Sequence, residues 1–223
     1  MADIHIAYTA YCVNDWADIM RRHMELLRDN VLARHDASVS VFAYPVAPEL
    51  KSVVDVLGSA CAVHALSHNM FEFPALRHLV DSPAAVNLYL HTKGASTPVG
   101  HERKPIVRRW DAYMCHYDLG MADRCMSYLS ACDCCGMGFK DSPVTSGSPG
   151  FGYYSGNFWW ASGSHLRRLR SSRMLRTPVD RYDAERLIGG VHGSFASLWQ
   201  PRVACWADTD QGELPLEPQV ITV

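Results

Sequence analysis

Apolar and polar positions alternate over residues 4–10, Ile-His-Ile-Ala-Tyr-Thr-Ala, which predicts a strand beginning almost at the first residue. From Asp15 to Asn30 the spacing changes. Trp16, Ile19, Met20, His23, Met24 and Leu27 recur at steps of three and four, the pattern of a helix with one buried face. Asn14 or Asp15 stands where an N-cap belongs. A second alternation, residues 38–44, carries Val39, Val41 and Ala43, and Pro45 and Pro48 break the chain after it. A short helix over 50–57, a short strand over 60–65 and a helix over 72–80 with Pro74 in its first turn follow. Residues 85–91, Ala-Val-Asn-Leu-Tyr-Leu-His, form the clearest strand after the first.

After a loop rich in proline, glycine and charge (95–105), residues 106–129 read as one long helix or two broken ones. A strand is predicted over 132–139, a flexible Gly/Ser loop over 142–152, a basic helix over 164–170 and a last helix opening at 182–188. The tail, 208–223, carries prolines and acidic residues and is expected to wrap or fray. Strands alternating with helices predict an α/β fold, a mostly parallel central sheet flanked by helices. Ligands of such sheets gather at the carboxyl ends of the strands. The loop after Ala10 and the turn His91-Thr92-Lys93-Gly94 both fall there. Without an internal repeat or a clean break, the chain reads as one domain over about residues 1–207 and a tail from 208 to 223.

Composition changes the picture only by exclusion. With 48% hydrophobic and 20% charged residues and a formal charge of −2, the chain is an ordinary globular one with no call on nucleic acid or anionic lipid. No apolar run approaches the ~20 residues of a membrane span, and the first residues lack a signal-peptide pattern. Eight scattered cysteines in mostly apolar contexts suit reduced thiols. A cytoplasmic protein is therefore expected, with peripheral membrane contact through the basic stretch 167–176 left open.

The candidate chemistry lies in a few short stretches. Tyr153-Tyr154-Ser155-Gly156-Asn157-Phe158-Trp159-Trp160-Ala161 sets aromatic faces beside small polar groups, a combination that holds a sugar ring or else makes an aromatic core strand with a glycine bulge. The turn His91-Thr92-Lys93-Gly94 can offer a cation and backbone N–H groups to a phosphate, or be a surface turn with a solvated lysine. Asp183 and Glu185 stand at a helix N-terminus, where the dipole favours carboxylates without any function. One of them could equally serve as general base on a hydroxyl. Cys132, Cys134 and Cys135 lack zinc-knuckle spacing and read as a buried strand. Asp208-Thr209-Asp210 reads as a solvated turn, and His192, between Gly190 and Gly193, as a late polar contact. Hydrolase elbows, Walker loops and dinucleotide fingerprints are missing from the sequence.

Taken in order, several stretches resemble small bacterial and viral glycosyltransferases of the GT-A type. They are Phe71-Glu72-Phe73-Pro74-Ala75-Leu76, Tyr89-Leu90-His91-Thr92-Lys93-Gly94-Ala95-Ser96, Trp110 with Met114, Ser155-Gly156-Asn157-Phe158-Trp159-Trp160-Ala161, Arg181-Tyr182-Asp183-Ala184-Glu185 and Ser197-Leu198-Trp199. The order holds from the first strand to Trp199. The chain departs from the pattern at Leu187, where an aromatic is usual, and in its cysteine-rich and Gly/Ser-rich stretch before the aromatic segment.

The resemblance implies a Rossmann-like nucleotide-binding half, about residues 1–105, joined to an acceptor half, about 106–207. It also implies transfer of a sugar from a UDP- or GDP-linked donor to a glycan or other hydroxyl acceptor, as in polysaccharide biosynthesis. Thr9, Ala10 and Tyr11 would meet base and ribose, with Tyr89, His91, Thr92, Lys93 and Gly94 toward the diphosphate and Glu72 reaching the nucleotide or fixing a loop. Trp110, Ser155, Gly156, Asn157, Trp159, Trp160 and Arg181 would frame sugar or acceptor, and Asp183 or Glu185 would be the base of an inverting transfer. A divalent ion, Mn or Mg, is allowed but not demanded, with His91 and His192 as its candidate ligands. The alternative is a non-catalytic carbohydrate- or nucleotide-sugar-binding protein on the same fold. A nucleotidyltransferase would need a Gly-rich loop after the first strand, and Thr9-Ala10-Tyr11-Cys12 does not supply one.

Overall fold

The computed structural model describes residues 3–141, 152–198 and 219–222. Strand β1 (Ile4–Tyr11) leads to helix α1 (Trp16–Leu27), extended by a wider turn over Arg28–Leu32. β2 (Ala37–Tyr44), α2 (Leu50–Val54), β3 (Cys61–Ala65), α3 (Phe73–Val80) and β4 (Val86–His91) complete the first half. Next come α4 (Lys104–Met114), α5 (Ala122–Tyr128), β5 (Cys134–Gly136), β6 (Phe139–Asp141), β7 (Gly152–Tyr154) and β8 (Trp159–Ser162). The chain then runs through α6 (Gly163–Leu169), α7 (Arg173–Arg176), α8 (Tyr182–Arg186), β9 (Ser194–Ser197) and β10 (Gln219–Thr222). Eight strands make one sheet in the order β10-β9-β5-β8-β4-β1-β2-β3, and β6 pairs with β7 beside it. The block β4-β1-β2-β3 is parallel throughout, as is β5 with β9, while β8 runs against both its neighbours. The fold is therefore α/β, with a mostly parallel central sheet flanked by helices.

The period-two pattern decides which face each side chain serves. Ile4, Ile6, Tyr8 and Ala10 of β1, Val39 and Val41 of β2, and Leu88 and Leu90 of β4 pack into one core with α1, α2, α4 and α5. Ala7, Phe42 and Tyr89 point the other way, into a second core with α3, α6, α7 and α8. Both faces are covered, so the inner strands are apolar nearly throughout, as parallel strands must be. One expectation changes: the strand over 132–139 is two short strands, β5 and β6, parted at Gly138 with φ 67°. Of the two courses expected for the tail, its end takes the first, wrapping back so that β10 pairs antiparallel with β9. Of the Gly/Ser loop expected over 142–152, residues 142–151 lie outside the described residues, as do Trp199 and Asp208-Thr209-Asp210.

Candidate functional site

A cavity of about 560 Å³ opens at the carboxyl ends of β1, β2 and β4. Thr9, Ala10 and Tyr11 close β1 there, and His91, Thr92, Lys93 and Gly94 close β4. Glu72 reaches it from the start of α3, and Arg181 and Glu185 from α8. These ten residues, singled out from four separate stretches, line one cavity. The sequence reading missed other lining groups, among them Tyr44, Phe71, His101 and Arg103. Tyr44 could have been found, since it ends β2 beside the end of β1; its ring lies near-parallel to that of Tyr11, with centroids 6.5 Å apart.

Local hydrogen bonds build the floor. The Tyr11 N–H donates to Thr92 Oγ1 at 2.8 Å, and the Tyr89 hydroxyl donates to Thr9 Oγ1 at 3.1 Å. Tyr89 itself is buried, so it supports Thr9 from behind. His91 Nε2 lies 2.9 Å from the Gly156 carbonyl. A carbonyl only accepts, so Nε2 carries the hydrogen and Nδ1 is left as an acceptor in the neutral ring. Burial lowers the His91 pKa; Glu72 opposes this and Lys93 adds to it. The fixed positive charge on this strand end is therefore Lys93, whose ammonium has no ion-pair partner among the described residues.

The rim is held by a lysine the sequence reading passed over. Lys104, 4% exposed, donates to Asp15 Oδ1 at 2.5 Å and to the carbonyls of Gly94 and Thr97 at 2.9 Å each. Asp15 is thus not the side-chain cap of α1 that its position suggested; its carboxylate also pairs with Arg108 at 2.9 Å. Burial works against its charge, but Lys104 and Arg108 outweigh burial and keep its pKa low. Asn14, with φ 53°, donates to the Ala95 carbonyl at 2.7 Å. Gly94 has φ 84°, and a Cβ there would stand 2.3 Å from Val107 Cγ1, which accounts for the glycine.

Adjacent residues of a strand face opposite sides of the sheet, so Trp159 and Trp160 cannot frame one sugar. Trp160 is fully buried in the first core, its indole N–H donating to the Asp118 carbonyl at 2.8 Å. Trp159 is buried in the second core and donates to Asn157 Oδ1 at 2.9 Å. Asn157, also buried, hands its amide on to the Glu72 carboxylate. The Ser155-Gly156-Asn157 turn therefore acts from beneath the cavity: it fixes Glu72 through Asn157 and His91 through Gly156. Trp110 does not face the cavity either. It is buried, and it and Met114 press on Gly156, where a Cβ would come 2.7 Å from Trp110 Nε1 and 2.3 Å from Met114 Sδ.

The two candidate carboxylates part company. Glu185 lines the cavity, whereas Asp183 turns back and accepts the Val179 N–H at 2.6 Å. Arg181, beside the cavity carboxylates Glu185 and Glu72, lies 4.7 Å from the centre of the Tyr182 ring. His192 is exposed in the loop before β9 and does not meet His91, so the two do not make a metal site. Among the described residues one trio of metal-type ligands converges, His23, Asp111 and Cys115, buried between α1 and α4. Both His23 nitrogens are engaged, by Tyr8 at 2.8 Å and Asp111 at 2.9 Å, and Arg22 pairs with the same carboxylate. That cluster is a buried ion network. Among the described residues no three metal-type ligands converge in the cavity itself.

No family model and no curated protein sequence matches the chain. Solved structures of similar layout include a mannosyltransferase from Pyrobaculum calidifontis in complex with GDP-Man and Mn2+, at TM-score 0.44 and 9% identity over 76% of this chain and 47% of that one. A cytidylyltransferase from Leptospira borgpetersenii gives TM-score 0.44 and 11% identity over 84% and 70%. A protein from Desulfovibrio desulfuricans described as a nucleotide-diphospho-sugar transferase gives 0.39 and 12% over 76% and 70%. These are distant likenesses, and they carry no residue's role across to this chain.

Proposed function

We propose that the chain is a glycosyltransferase that moves a sugar from a nucleoside diphosphate to a hydroxyl of a glycan acceptor. One observation carries this reading: the strand ends of β1 and β4, the start of α3 and the α8 pair Arg181 and Glu185 converge on a single cavity. Thr9 to Tyr11, with the flat wall of Tyr11 and Tyr44, suit base and ribose. Displacing the diphosphate from the anomeric carbon passes through an oxocarbenium-like state and loads negative charge onto the leaving group. Lys93, and Arg103 on the rim, supply fixed positive charge against it. Glu185, which lines the cavity, would take the acceptor proton in an inverting transfer. In a retaining transfer it would orient a sugar hydroxyl instead.

The test is nucleotide release from UDP- and GDP-linked hexoses, supplied with and without Mn²⁺. The reading expects turnover with at least one donor. Glu185→Gln should cut it by about 10²-fold or more, the usual worth of a general base, with nucleotide affinity unchanged. Asp183→Asn should stay within about twofold, since Asp183 only accepts a backbone N–H. Nucleotide-sugar binding without any release would instead make the chain a carbohydrate-binding protein.

A further inference from the structure

Phe71 combines two features that neither core packing nor solvent rewards. Its backbone lies in the left-handed region, φ 53°, where a bulky side chain is strained and glycine would fit freely. The residue is 48% exposed and lines the cavity. Asn69 Oδ1 accepts the Phe71 N–H at 2.9 Å and holds the turn in this conformation. The next residue, Glu72, is anchored by Asn157, and Arg181 and Glu185 line the same cavity. A flat apolar face is thereby held open beside hydrogen-bonding groups, the pairing that fits the C–H face and hydroxyl edge of a pyranose. In the transferase reading the Tyr11–Tyr44 wall takes the nucleobase, which leaves the Phe71 face for a different ring.

We infer that Phe71 is the stacking platform for a pyranose ring of the acceptor glycan. The inference rests on the glycosyltransferase reading above, and its test separates the two. Saturation-transfer NMR on the full chain, with excess UDP or GDP, would use methyl α- and β-hexopyranosides (gluco, galacto and manno) as probes. Wild type should saturate the ring C–H protons of at least one glycoside. Phe71→Gly, which keeps φ without strain, should lose that signal at least fivefold while melting no lower than wild type. Phe71→Asn, tolerant of the same φ, is the second variant and should lose it likewise. Affinity for UDP or GDP should change less than twofold. An undiminished glycoside signal in both variants overturns the inference, as does a wild type that saturates no glycoside. A tenfold loss of nucleotide affinity overturns it too, by making the ring a base platform. Failure of wild type to bind either nucleotide sinks the transferase reading, while the glycoside comparison still reports on Phe71.

Discussion

Single residues set the floor of the cavity, and Gly156 is the most demanding. Its φ of 93° is one that side chains rarely adopt, and a Cβ would collide with Met114 Sδ at 2.3 Å and Trp110 Nε1 at 2.7 Å. Gly156→Ala should cost about 1–2 kcal/mol for the backbone and a further ~1–3 kcal/mol for overpacking. Urea unfolding should therefore lose about 3 kcal/mol, and nucleotide affinity should fall as well, because the same turn carries the carbonyl that fixes His91. A variant as stable as wild type would mean that the turn is not pinned against α4. The Ser-Gly-Asn stretch was legible as a special turn, but its direction was not. Composition suggested a sugar cradle; the period-two rule already forbade Trp159 and Trp160 from sharing one cleft, and that rule decides.

At the scale of elements, most of the sheet could be read from the chain because β1, β2 and β4 are buried on both faces and carry dense apolar patterns. The pairing of β5 with β9 could not, since three-residue and four-residue strands carry too little periodicity. The tie between the β1–α1 loop and the β4–α4 loop was invisible for another reason: Asp15 and Lys104 are far apart in sequence, the first standing where an N-cap belongs and the second in a loop rich in charge. In the fold both are nearly buried. Breaking a buried pair from one side leaves the partner uncompensated and costs about 3–5 kcal/mol. Arg108 still reaches Asp15, so Lys104→Met should fall near the low end, about 3 kcal/mol in denaturant unfolding. The Gly94–Thr97 rim would lose both of its lysine contacts. Hydrogen exchange in residues 92–97 should rise with it, and unchanged protection there would show that the loop stands without the staple.

Over the whole molecule, histidines tie stability to pH. His5 of β1 and His78 of α3 lie with ring centroids 4.8 Å apart, and His64 of β3 lies 5.7 Å from His78. Ser38 meets His5 at 2.7 Å and Ser40 meets His78 at 3.1 Å. Among the described residues the buried His5 Nε2 has no hydrogen-bond partner. Burial, then His78 and His64, lower the His5 pKa to about 4; burial and His64 lower that of His78, against Asp81. Burial lowers His165 as well. An unfolded histidine takes its proton near pH ~6.5. Between there and the folded value the unfolded chain binds more protons, so this stabilisation is intact above about pH 6.5 and drains away as pH falls toward 4. His23 runs the other way. Burial disfavours its charge, yet Cys115 and Asp111 outweigh burial and hold its pKa near 10, so its contribution is complete below about pH 6.5 and shrinks as pH rises. The two opposed slopes place the histidines' own stability maximum near pH ~6.5–7, and Asp118, whose carboxyl burial raises well above its usual range, works in the same direction as His23. Urea midpoints measured from pH 8 to pH 4.5 should trace that maximum. His5→Gln removes one group whose neutrality the fold enforces, and should flatten the acid limb while leaving the alkaline limb in place. An acid limb equally steep in the variant would assign it to the other buried groups and remove the β1–α3 cluster from the account.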